Sequence, residues 1–267
     1  MTYEIKRYHY DINRSSHFHA CFEILISLND TGRFFVREKA YQMKKGMIIL
    51  LDTYEIHRCF CQENNKNDRI VVHFPKQALS EMSTKTTLID KMFSDAPLFL
   101  QTSEEELSNI IRHLEKFNEP LKFDFGRDIE QALIFKRFLF EIARLINSHD
   151  TDWDAQKIQL DERVKMTLRY VRENYASDLS LEILSKVMYT SKSRLSQLFK
   201  QETGMTIGDY IITYRLLCAE EMLREGLPAK YVRSRAGFRS DTHFYRIFKS
   251  KIGSTPSEYA KSMQLVP

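Results

Sequence analysis

Between Leu179 and Gly253 one arrangement of residues occurs twice, and it leaves this part of the chain few ways to fold. The first copy runs from Leu179 to Met188 and on through Tyr189 to Gly204. The second runs from Leu227 to Gly237 and on through Phe238 to Gly253. Each reads as a helix, a tight turn and a second helix. In the second helices Leu195, Leu198 and Phe199, and again Phe244, Ile247 and Phe248, fall at i, i+3 and i+4. That spacing puts three apolar side chains on one helical face, to pack on the preceding helix. Ser191 and Ser240 stand where an N-cap belongs, and Gly204 and Gly253 where a helix should stop.

The opposite faces are polar and partly basic. They carry Lys192, Ser193, Ser196, Gln197 and Lys200 in the first copy, and Asp241, Thr242, His243, Arg246 and Lys249 in the second. A helix that enters a DNA groove needs such a face, because base edges are read by hydrogen-bonding side chains while phosphates are held by Lys, Arg and helix N-termini. Residues 206–225 read as one joining helix, about 30 Å long at ~1.5 Å per residue. Successive major grooves on one face of DNA lie roughly 34 Å apart, so such a strut could hold the two faces at adjacent grooves.

These residues resemble the DNA-binding domain of AraC/XylS-type transcription regulators. The resemblance is carried by Leu198-Phe199-Lys200, Ala236-Gly237-Phe238, the run from His243 to Lys249, and Gly253-Ser-Thr-Pro256 with Tyr259. It implies base-reading positions at Ser193, Ser196 and Gln197, and at Asp241, Thr242, His243 and Arg246. Lys192 and Lys200 are expected on phosphates, with Ser191, Ser240 and Lys249 completing the DNA-facing set. It further implies double-stranded DNA and RNA polymerase as partners, a homodimer, and activation in response to a small-molecule, sugar-like effector. One departure stands out: Arg233 occupies a place where the family has a small residue and where the first copy has Ser185. Burying an arginine is costly, so Arg233 is expected to snorkel or to displace its helix.

Charge divides the chain in the same place. From Arg163 onward there are eighteen Lys and Arg against ten Asp and Glu, net +8; the whole chain carries +4, so the rest is acidic at −4. A basic C-terminal part attached to an acidic one suits a nucleic-acid reader joined to something else. No apolar run is long enough for a membrane span, and the N-terminus lacks the apolar core of a secretory signal. Four scattered cysteines, Cys21, Cys59, Cys61 and Cys218, make no disulfide framework. The cytoplasm is the expected location, and Cys59 and Cys61 are read as packing residues rather than a redox pair.

Toward the N-terminus the period changes to two. Residues 22–28, 32–37, 47–51 and 69–74 are short β-rich runs, punctuated by turns at 29–32 and 44–46. His17, His19 and Glu23 lead into the first run and His57 follows a later one, a pattern similar to that of cupins. In metal cupins such positions are ligands, since imidazoles and a carboxylate aim into a barrel. The expectation here is an organic effector pocket lined by His17, His19, Glu23 and His57, with no bound metal or other cofactor. Arg14, Phe34 and His73 are further candidates that the sequence itself does not place.

A capping box at Ser103–Glu106 opens a helix with Leu107, Ile110, Ile111, Leu114 and Phe117 on one side, ended by Asn118 and Pro120. A second helix over 125–148 has an apolar face wider than one sheet surface requires, and the family resemblance assigns this pair to dimerisation; covering the barrel is the other reading. The expected organisation is therefore α+β with two domains: a cupin-like β-barrel at 1–97, a helical dimerisation segment at 98–149, a polar linker at 150–160, and an all-α domain at 161–267 with two helix-turn-helix motifs joined by a long helix. A ligand-responsive, sequence-specific regulator with no enzymatic activity accounts for these features best. A metal-cupin enzyme and an effector-independent dimeric regulator are the alternatives.

Overall fold

The computed structural model describes residues 3–9, 17–61, 67–93, 98–118, 125–148 and 157–264. It has an N-terminal region of sheet and a C-terminal region of helices. Strands β1 (Glu4–Tyr8), β7 (Arg69–Phe74), β2 (Phe22–Ser27), β5 (Met47–Leu51) and β8 (Leu98–Gln101) form one sheet in that order. A second sheet is ordered β6 (His57–Phe60), β3 (Arg33–Val36), β4 (Lys39–Gln42) and β9 (Lys157–Ile158). Alternation along β2 explains how the sheets stack. Leu25 turns inward to a core with Phe34, Met47, Ile49 and Val71, drawn from both sheets. Phe22, Ile24 and Ile26 turn outward, into a core shared with the helices α3 (Glu104–Asn118) and α4 (Arg127–Ser148).

The capping box forms as expected, with the Ser103 backbone N–H donating to Glu106 Oε2 at 2.8 Å and Glu106 N–H donating to Ser103 Oγ at 3.2 Å. On α4, Phe135, Phe138, Leu139 and Ile142 are buried, whereas Ile129 and Leu133 are each 63% exposed and Phe140 is 40% exposed. Two short helices, α1 (Gln77–Ser80) and α2 (Ile89–Met92), lie between β7 and β8.

The helical region comprises α5 (Glu162–Asn174), α6 (Leu181–Val187), α7 (Lys192–Thr203), α8 (Ile207–Arg224), α9 (Ala229–Arg235), α10 (Asp241–Ile252) and α11 (Pro256–Gln264). Leu195, Leu198 and Phe199 pack with Leu168, Leu184 and Tyr210 in one core. Phe244 and Phe248 pack with Leu216, Val232 and Tyr259 in another. The joining helix α8 has 18 residues, slightly shorter than expected, because Thr206 is its N-cap, accepting from Asp209 N–H, and Glu225 its C-cap.

The second sheet's outer face meets this helical region. Phe35, Ala40 and Phe60 lie in the same core as Leu195 and Phe199, and Phe18 lies in the core of Phe244 and Phe248. Arg172 pairs with Glu38 at 3.3 Å. Arg224 stands over the ring of Tyr54 at 4.1 Å, whose hydroxyl lies 3.4 Å from that of Tyr259.

Two expected boundaries shift. Residues 98–101, taken with the helical segment, are strand β8 of the first sheet. The polar linker ends early, since Lys157 and Ile158 pair with Tyr41 and Ala40 and Leu160 is buried. Pro120, Arg14 and the linker's residues 150–156 lie outside the described residues. Among the described residues no helix is long and apolar enough to cross a membrane.

Candidate functional site

The helices α7 and α10 are built alike. Each opens on a serine in extended conformation whose Oγ accepts a backbone N–H of the first turn: Ser191 from Arg194 at 3.2 Å, Ser240 from His243 at 3.4 Å. Each closes on a left-handed glycine, Gly204 at φ 74° and Gly253 at φ 91°. With one face buried, the other is presented outward. Lys192, Ser193, Gln197 and Lys200 are exposed and Ser196 is half-buried on α7; Asp241, Thr242, Arg246 and Lys249 are exposed and His243 is half-buried on α10. Arg194 and Tyr245 are exposed on the same helices and escaped the sequence reading, though the positions beside Ser193 and Arg246 were the signal for them.

Local pairing alters two of the expected roles. Lys192 Nζ lies 3.2 Å from Glu182 Oε2, and Lys186 holds the other oxygen at 3.1 Å, so a phosphate would have to compete with Glu182 for Lys192. Arg233 snorkels: its Nη1 donates to the Phe238 carbonyl at 2.6 Å and its Nε pairs with Asp241 at 2.6 Å. The arginine thereby satisfies a turn carbonyl that a small residue would leave to water. It also fixes Asp241 at the head of α10.

In the sheet region, His17, His19, Glu23 and His57 do come together, with one ligand atom of each within 4.8 Å of the others. Glu23 is the centre. It sits on β2 facing the space between the sheets and is 3% exposed. A buried carboxylate needs charged or hydrogen-bonding partners. His19 Nε2 and His73 Nε2 donate to Glu23 Oε2 at 2.9 and 2.8 Å. His73 stands directly opposite Glu23 in the β2–β7 register, which explains its role. The signal for it was a polar residue inside the otherwise apolar end of β7. Burial alone would raise the Glu23 carboxyl, but His57, His19 and His73 hold it well below the usual carboxylate range. For His19 burial acts downward, yet bonding to Cys21 and Glu23 pushes it up to about 10.

His57 is held differently. A two-residue backbone bridge, His57 N–H to the His17 carbonyl at 3.1 Å and the reverse bond at 3.4 Å, sets the two side by side, ring centroids 4.4 Å apart. Its Nδ1 donates to the Glu55 carbonyl at 2.8 Å. Its Nε2 is buried without a hydrogen-bond partner, 3.4 Å from Glu23 Oε2. The space the cluster borders, with Phe34, Arg69 and Tyr8 on its walls, measures about 40 Å³. A buried water needs roughly 10–15 Å³ of such space, so the cleft has room for a few waters as it stands.

Comparison with known proteins bears on the helical site. Residues 184–262 match the family model described as a helix-turn-helix domain. Over 256 residues the chain is 21% identical to the uncharacterized HTH-type transcriptional regulator YdeC of Bacillus subtilis, covering 92% of this chain and 85% of that protein. It is 26% identical over 230 residues to the RCS-specific HTH-type transcriptional activator RclR of Escherichia coli, covering 85% and 80%. Over 93 residues it is 34% identical to the multiple antibiotic resistance protein MarA of Salmonella typhimurium, 34% of this chain and 73% of that protein.

Proposed function

The chain belongs to the AraC family of helix-turn-helix transcriptional regulators, and on that premise we propose that it is a cytoplasmic, sequence-specific activator controlled by an effector bound at Glu23 and its histidines. It is a DNA-binding regulator and not an enzyme; relatives such as YdeC and RclR are named as transcriptional regulators. The observation that carries the proposal is the pair of capped helices α7 and α10, each burying one face and presenting polar side chains on the other, Ser, Gln and Lys on α7 and Thr, His, Arg and Lys on α10. Activation is supported by the likeness to RclR, which is named an activator, and RNA polymerase is the partner such a role would require.

In this reading the two facing sheets are a cupin-like sensing domain and α6–α7 and α9–α10 are the two helix-turn-helix motifs. The exposed stripe of α4, with Ile129, Leu133 and Phe140, is the homodimer contact. Selection of bound DNA from a random pool by the full chain tests the proposal. A defined site, bound with an affinity that falls steeply with salt as counterions are released, is the expected result. Recovery of no preferred sequence would overturn it.

A further inference from the structure

Strand β3 parts two spaces. Phe34 faces the Glu23 cluster, and its neighbour Phe35, on the opposite face of the strand, lines a second cleft against the helices. This cleft has the β3–β4 hairpin and the loop before β6 on one side, and α5 and α8 on the other. It measures about 260 Å³. That exceeds the ~150 Å³ in which an apolar cavity holds benzene, and it falls short of the roughly 300 Å³ at which pockets for drug-sized ligands begin. One substituted ring is the size that suits it.

The walls specify the chemistry of that ring. Phe35, Tyr54, Tyr210 and Tyr214 surround the cleft with aromatic side chains, and Ile56 and Leu217 complete its apolar lining. Tyr210 is 3% exposed, yet its hydroxyl makes no hydrogen bond among the described residues. A buried hydroxyl left without an acceptor is costly. Burial and the nearby Glu38 push its ionisation upward, so it stays protonated, a donor facing the cleft. The Tyr214 hydroxyl, pushed up to about 12 chiefly by burial, is a second donor. At the rim Arg37 pairs with Glu55 and Arg172 with Glu38, so the charges cancel and a ligand of neither sign is favoured.

The backbone is strained at the same place. Among the described residues four other than glycine take positive φ, and three of them, Arg37 (46°), Glu38 (61°) and Tyr54 (64°), line this cleft. Such conformations are costly for residues with a Cβ, and they gather at ligand clamps and switch segments.

We propose that this cleft binds one small, uncharged aromatic molecule bearing a hydrogen-bond acceptor, to which the hydroxyls of Tyr210 and Tyr214 donate. It is a second ligand site, apart from Glu23 and its histidines, and it does not rest on the assignment of the chain as a regulator. Because its walls come from the sheet and from α8, a bound molecule bridges the two halves of the chain. The full chain is titrated with benzamide and followed by saturation-transfer NMR, with benzoate and benzylamine as anionic and cationic rings of similar size. Benzamide is expected to saturate with a Kd on the order of 1 mM, as so small a ligand allows, and each charged ring to bind at least about 5-fold more weakly. Tyr210→Phe removes a hydroxyl that bonds nothing in the described chain, so it should keep the fold and weaken benzamide by about 5-fold. Leu217→Trp should fill the cleft and abolish binding. A folded chain that shows no benzamide binding at roughly ten times the expected Kd overturns the site. Unchanged affinity in Tyr210→Phe overturns the role of its hydroxyl, and unchanged affinity in a folded Leu217→Trp overturns the location. Benzoate or benzylamine bound as tightly as benzamide overturns the uncharged class.

Discussion

Gly204 closes α7 directly against the ring of Phe60: a Cβ on this glycine would stand 2.5 Å from Phe60 Cγ. The same residue thus ends α7 and makes room for the sheet. Gly253 ends α10 in the same left-handed conformation with nothing within 4 Å of the corresponding position.

The two glycines therefore separate two costs. Gly253→Ala should lose about 1 kcal/mol, the cost of a left-handed alanine. Gly204→Ala should lose that and the packing strain against Phe60, ~2–4 kcal/mol in all. Thermal melts of both variants check this; equal losses would mean that Phe60 gives way freely.

Arg246 and Lys200 are both exposed and cationic, yet distinct roles are expected of them. Arg246→Ala should relax the preference at one base pair, with a discrimination loss of ~1–3 kcal/mol. Lys200→Ala should weaken binding to every sequence alike. Site selection with each variant decides the matter. An unchanged site preference with uniformly weaker binding by Arg246→Ala would make Arg246 a phosphate contact.

Leu133 is 63% exposed in the middle of the apolar stripe on α4. If that stripe joins two copies, Leu133→Glu places a charge at the centre of the contact and should weaken the dimer by ~2 kcal/mol or more. Sedimentation velocity over a concentration series measures it. An unaltered association would move the contact elsewhere.

Glu220, on α8, is 2% exposed, and burial raises its carboxyl above the usual value against the opposing pull of Tyr259 and Arg224. A folded-state value above the unfolded one contributes stability that is full below about pH 4.3 and is lost as pH rises through the folded value. The melting temperature of the native chain minus that of Glu220→Gln should therefore fall as pH rises from about 4.3 toward neutrality. A difference independent of pH would mean that Glu220 titrates normally.

What the sequence made legible follows from what is local. Caps at Ser191 and Ser240, stops at Gly204 and Gly253 and the capping box at Ser103 are set by neighbours within four residues, and all form. Strands β2, β3, β5 and β7 announced themselves by dense apolar runs. Strand β1 did not, since its residues are exposed or half-buried along their length, and β9 lies in a polar stretch. The hairpin between β3 and β4 was hidden for another reason: Arg37 and Glu38 take positive φ, 46° and 61°, where a glycine or asparagine would have marked the turn. In the histidine cluster the four residues were legible because His17, His19 and Glu23 are close in sequence. His73 arrives only through strand register, and the size of the cavity depends on how closely two sheets approach, which no short motif encodes.

Strand β9 sets where this molecule can be cut and rejoined. The polar stretch before it invites a graft that swaps one sensing region for another near residue 156. Lys157 and Ile158, however, hydrogen-bond into the sheet at Tyr41 and Ala40, and α5 starts only four residues later, at Glu162. A fusion made at that point would leave the donor's sheet without its last strand and would give the recipient helices a stub that fits nothing. The workable seam lies after Ile158, so that β9 travels with the sheet it completes.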